Sequence, residues 1–173
     1  PFPGSMRMQP VAAVEGGGTV SLKRVQVTSF SAVGLLAVGA GTRLDAREVA
    51  IHRPRQPVAG GGNGHGLVVA DGAIADFDGA SVAMARNVAV VVDGAGARLR
   101  ARRLAVSATL ADPAGNLGYG LEAGGGARVD LERMLVRAPA AGRVLKIHAH
   151  GGEEVGPQGI FELGRTQRMY VVA

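Results

Sequence analysis

In the stretch Val33–Ile51, VGLLAVGAGTRLDAREVAI, an apolar run meets a Gly turn and then gives way to two short alternating strands, one begun by Leu44 and one carrying Val49 and Ile51. Alternation with period two is the mark of a strand with one face turned inward. The same arrangement recurs on both sides of it. The copies are Val14–Val27 (VEGGGTVSLKRVQV), Asp71–Met84 (DGAIADFDGASVAM), Val92–Val106 (VDGAGARLRARRLAV) and Ala123–Arg137 (AGGGARVDLERMLVR). A repeat of roughly 20 to 50 residues announces a solenoid, whose units bury their apolar edges only by stacking on neighbours.

Superposing the copies on their Gly turns gives columns. Val20, Leu44, Phe77, Leu99, Val129 and Val155 form the first. Val25, Val49, Val82, Leu104 and Met134 form the second, and Val27, Ile51, Met84, Val106 and Val136 the third. A further strand precedes each turn, marked by Leu36 and Val38, Leu67 and Val69, Val90 and Val92, Leu121, and Leu145 and Ile147. The pattern predicts an all-β chain of about five to six coils with three short strands each. Along the first column the steps are 24, 33, 22, 30 and 26 residues. The surplus falls in two Pro-, Gly- and Asn-containing insertions, His52–Gly66 and Ser107–Gly120, which read as loops at one corner and mark a candidate binding face.

This repeat resembles the right-handed parallel β-helix superfamily, the pectin-lyase-like fold. The carriers are a G-L-x-V-x-x-G-A-x-V pattern over Gly34–Leu44, Gly66–Phe77 and Gly120–Val129, within a resemblance that spans Val11 to Leu163. The match is to an architecture rather than to an enzyme. Other solenoids fit worse, since there is no six-residue period, no leucine-rich signature and no long helical stripe. Residues 1–10, with Gly4-Ser5-Met6, read as a tag remnant and lead-in; 11–163 as the β-helix; and 164–173 as a last irregular coil or cap.

Composition agrees with a thin, regular interior. Of 173 residues 28 are Gly and six are aromatic, so Ala and Val fill much of the core. There is no Cys, which excludes disulfides and thiolate metal sites. No apolar run of about 18 residues is present to span a bilayer, and the first ten residues lack the apolar core of a signal peptide. The net charge of +5 invites a nucleic-acid reading, but Arg43, Asp45, Arg47 and Glu48 interleave both signs instead of forming a basic stripe. Nucleic acid is therefore not an expected partner.

The stacked copies place Ser21, Asp45, Asp78, Arg100 and Asp130 in one outward column and Thr19, Arg43, Asp76, Arg98 and Arg128 in another. Two functional classes follow. In the first, a non-catalytic scaffold, adhesion or carbohydrate-binding module meets an acidic polysaccharide or a protein. Arg98, Arg100 and Arg128 engage uronate carboxylates, and His65, Asn63, Asn116 and Tyr119 contribute from the loops. In the second, the resemblance implies a polysaccharide lyase or glycoside hydrolase fragment in which Asp45, Asp78 and Asp130 supply carboxylates and Arg100 a basic group. No enzyme signature of the superfamily surrounds these positions. A metal candidate is the His148, His150 and Glu153 group, two His spaced to share a strand face; no cofactor is expected. Open coil ends suggest a third class, a structural element that associates end to end. The expected setting is a piece of a larger exported or cell-surface protein.

Overall fold

The computed structural model describes residues 10–30, 32–52, 64–110, 118–137, 143–147 and 161–164. Every regular element among them is a strand. In chain order they are β1 (Pro10–Glu15), β2 (Thr19–Lys23), β3 (Gln26–Thr28), β4 (Val33–Val38), β5 (Arg43–His52), β6 (His65–Ala70) and β7 (Ile74–Ala83). There follow β8 (Val88–Asp93), β9 (Arg98–Ser107), β10 (Tyr119–Gly124), β11 (Arg128–Leu131), β12 (Met134–Arg137), β13 (Arg143–Ile147) and β14 (Phe161–Gly164).

Residues Pro1–Arg137 make one compact unit. Its strands form two parallel sheets, ordered β1-β4-β6-β8-β10 and β2-β5-β7-β9-β11, with β3 paired to β5 and β12 to β9. Taking β2 with β3 and β11 with β12 as single passes, successive passes alternate between the sheets, and each return adds to the growing edge. Residues at equal positions in successive passes are therefore neighbours, about 4.8 Å apart. The core lies where the inner faces meet, on Leu35, Leu67 and Val90 of one sheet and Leu44, Ile51, Val82, Leu99 and Val106 of the other, all at most 2% exposed.

The register corrects the third copy. The first column runs Val20, Leu44, Ala75, Leu99, Val129, so Phe77 stands two residues further on, beside Ala46 and Ala101. Val82, in turn, pairs with Ile51 and Val106, while Ala80 takes the position beside Val49 and Leu104. The steps between column members become 24, 31, 24 and 30 residues. A large apolar residue in each strand suggested the other alignment, but alternation is preserved by a two-residue slip and cannot detect it. In the preceding strand the inner residues of β4 are Leu35 and Ala37 rather than Leu36 and Val38. Leu36 joins Val33, Val68 and Ala70 in a separate apolar cluster.

The turns that join the first sheet to the second alternate in type. Gly16-Gly17, Asp71-Gly72 and Gly125-Gly126 carry positive φ at both residues, inside turns closed by Gly18 N to Glu15 O, Ala73 N to Ala70 O and Ala127 N to Gly124 O. These are type I′ turns. The intervening passes use Gly39–Thr42 and Gly94–Ala97; of the two central residues only Gly41 and Gly96 have positive φ, which is type II geometry, and the connection is one residue longer, with Gly39 and Gly94 also at positive φ where they enter the turn. Thr42, 1% exposed, donates its hydroxyl to Val38 O at 2.9 Å and accepts from Gly17 N at 3.0 Å, tying two successive turns together. Each ten-residue strand bends at a left-handed residue, Glu48 (φ 53°), Gly79 (φ 74°) and Arg103 (φ 55°), which occupy one register position.

The second unit, Ala138–Ala173, contains β13 and β14. Leu145 and Ile147 were expected in a parallel column; they lie instead in β13, which pairs antiparallel with β14 through Ile147–Phe161 and Lys146–Glu162. Antiparallel partners need only a local connection, whereas parallel ones need a crossover. Asn63, Asn116, Val155, His148, His150 and Glu153 lie outside the described residues, as do most of the first insertion and half of the second.

The tight core makes a test. A Cβ at Gly66 would stand 2.3 Å from Val82 Cγ1. Gly66→Ala is expected to lower stability by about 1–3 kcal/mol through overpacking, and combining it with Val82→Ala recovers part of that loss in a denaturant-melt double-mutant cycle. Strict additivity of the two changes would refute the close approach.

Candidate functional site

The outer face of the second sheet carries three charged columns, because alternation in β5, β7 and β9 sends every second side chain outward. The first is Thr19, Arg43, Ile74, Arg98 and Arg128. The second is Ser21, Asp45, Asp76, Arg100 and Asp130. The third holds Lys23, Arg47, Asp78 and Arg102, and Glu132 follows next to β11. Asp78 thus leaves the column of Asp45, and Asp76 takes its place. The signal for Asp76 was in the sequence: it flanks the buried Phe77 as Asp78 does, and small Ala75, fully buried, hides the inward position before it.

A depression of about 670 Å³ lies over this face, lined by Lys23, Asp45, Arg47, Asp76, Asp78, Arg100 and Arg102 together with Ser21, Leu22, Arg43, Ala46 and Phe77. Asp45, Asp78 and Arg100 therefore do share a site. Asp130 stands apart from it, beside Arg100 in an adjoining shallow hollow. The face carries no outward aromatic residue among the described residues, since Phe77 is 4% exposed and points inward.

Opposite charges meet both within and between rungs. Arg43 reaches Asp45 at 3.1 Å and also bonds Asp76. Arg103 crosses the bend to Asp78 at 2.6 Å, above Gly79. Arg102 pairs with Glu132 at 3.1 Å. Asp130 receives Arg98 at 2.6 Å and Arg128 at 3.0 Å, with Arg100 at 3.9 Å. The three arginines expected to hold uronates thus converge on one carboxylate. Lys23 and Arg47 form no ion pair within 4 Å among the described residues.

These contacts set protonation. The hydrogen bond from Arg103 holds the Asp78 carboxyl below the usual carboxylate range, and those from Arg98 and then Arg128 do the same for Asp130. Arg43 is raised by its bond to Asp45. Both lowered acids stay ionised throughout the neutral range, so neither is a proton donor there.

His65 and Tyr119 belong to the other sheet. His65, 7% exposed, donates Nδ1–H to Val88 O at 2.8 Å, and burial pushes its pKa down. Its role there is to close a hydrogen bond inside the fold. Tyr119 is half exposed at the sheet edge, beside Val88. Among the described residues no group of three His, Asp or Glu is placed to hold a metal ion, and no helix is long and apolar enough to cross a membrane. Compared with protein-family models, curated proteins and solved structures, the chain matches none.

Two pH windows follow. His65 is held neutral in the fold, so its contribution is present above the unfolded value of about 6.5 and declines as pH falls below it. The thermal midpoint is expected to drop from pH 7 to pH 5, and His65→Asn flattens that limb whatever its midpoint at pH 7. Asp78 and Asp130 contribute above the unfolded carboxylate value and lose that contribution below about pH 4. Asp78→Asn should therefore change the slope only in the second window; a change confined to the first would contradict the assignment.

Proposed function

We propose that this chain is a non-catalytic binding module built as a right-handed parallel β-helix, with about five coils of three short strands between Pro10 and Arg137. The alternation of the chain between two parallel sheets supports that architecture, and the general handedness of parallel crossovers supports the hand. Its ligand is an acidic polysaccharide lying along the charged face, at an exported or cell-surface location.

The observation that carries the reading is how the charges are paired. Asp78 and Asp130 are bound to arginines and stay ionised, which favours an electrostatic surface over acid catalysis. Lys23 and Arg47, which line the 670 Å³ depression, are left to meet carboxylates of a ligand. Lys23 and Arg47 stand on adjacent rungs about 4.8 Å apart, and cations resume at Arg98, Arg100 and Arg102 beyond the acidic β7 rung, an arrangement that follows the direction of an extended polyanion.

The test is binding to polygalacturonate in calorimetry, with a neutral glucan as control and product analysis on the same mixtures. Binding that weakens with added salt and yields no new chain ends is expected. Arg47→Glu weakens it several-fold. Asp130→Asn strengthens it at low salt, because Arg98 and Arg128 lose their internal partner. Cleavage of any acidic polymer that disappears in Asp78→Ala would replace this reading with the lyase or hydrolase one, and absence of salt-sensitive binding to polyanions would remove it.

A further inference from the structure

Both sheets have two edges each, and the residues on those edges differ from the rest of the surface. The first sheet ends in β1 and β10, and the second in β2 with β3 and in β11 with β12. Six large apolar side chains are exposed among the described residues. Five of them, Val11, Val20, Tyr119, Leu131 and Leu135, belong to those edge strands; only Met84 does not. Exposed apolar groups beside unpaired strand N–H and C=O groups form a template for another strand.

The two ends also match each other. Continuing the register by one rung sets Val129 over Val20, Leu131 over Leu22 and Met134 over Val25 in the second sheet. In the first it sets Leu121 over Ala12 and Ala123 over Val14. Every inward column thus continues with an apolar residue. Charge continues as well. Glu132, whose side chain is 72% exposed at one end, would meet Lys23 at the other, repeating the pairing that Arg102 makes with Glu132 inside the molecule. The like-charged contact is Arg133 over Arg24, both exposed at the bend, where Arg103 and Arg133 already stand one rung apart.

We infer that the β10–β11–β12 edge of one molecule seats on the β1–β2–β3 edge of a second copy, in parallel and in register. The two patches are different surfaces, so the contact is heterologous and open-ended, and copies add head to tail. A parallel continuation keeps the outward columns in line, so the charged face extends across the junction.

Sedimentation velocity and small-angle scattering of the full chain test it over a roughly hundredfold concentration range. Mass is expected to rise without stopping at two, with growth in length at constant cross-section. Lys23→Glu and Glu132→Lys each set like charges in contact and are expected to weaken association roughly tenfold. The double variant restores it. Leu135→Lys, on the outward side of the edge and away from the depression, also weakens it. A monomer at all concentrations would overturn the inference, as when another segment of the chain occupies an edge. So would a dimer that grows no further, or association indifferent to both reversals. These readouts need no polysaccharide, so their outcome is separate from that of the binding test.

Discussion

Everything in Pro10–Arg137 depends on one constraint, the in-register parallel hydrogen bonding that stacks equal positions of successive passes about 4.8 Å apart. Parallel ladders leave no choice about neighbours: Leu44 must meet Val20 and Ala75, and Asp45 must meet Ser21 and Asp76. An apolar residue then reinforces its own column in both directions. A charge equally meets whatever the next pass supplies, and the sequence answers by interleaving Asp and Arg.

The core that results is shallow and tolerates little addition. Gly34 and Gly66 let the sheets approach until a Cβ would stand within 2.7 Å of Ile51 Cγ2 at one position and 2.3 Å of Val82 Cγ1 at the other. Large side chains would separate the sheets. The abundance of Ala, Val and Gly is therefore a packing requirement of the narrow interior. The turns contribute by alternation of type, and the buried Thr42 hydroxyl shows how a single polar group serves two turns at once.

On the outer face the same ladder makes an electrostatic surface. Exposed ion pairs add little stability individually, but repeated along the sheet they set which charges are matched and which face solvent. The matched ones are the acids, and of these Asp78 and Asp130 are held ionised by arginines. The polymer-binding reading and the head-to-tail inference rest on different parts of this arrangement, one on the middle of the face and one on its ends.

Strand character, the repeat, the Gly turns and the apolar columns were all legible in the sequence, because period two and turn chemistry are local properties. Leu44, Ile51, Leu99, Val106 and Phe77 were read correctly as inward. The rung neighbours of Phe77 were not: a slip of two residues keeps every side chain on its face, so only pairing across the ladder reveals that Ala75 belongs beside Leu44 and Phe77 beside Ala46. The same slip hid Asp76 in favour of Asp78. Convergence of Arg98 and Arg128 on Asp130 was equally out of reach, since it depends on which rung each guanidinium reaches toward. The sequence by itself determined what kind of strands form and which residues turn the chain. Tertiary structure alone decided which charges neighbour one another, because register between distant passes is settled by packing of the whole column and not by any segment within it.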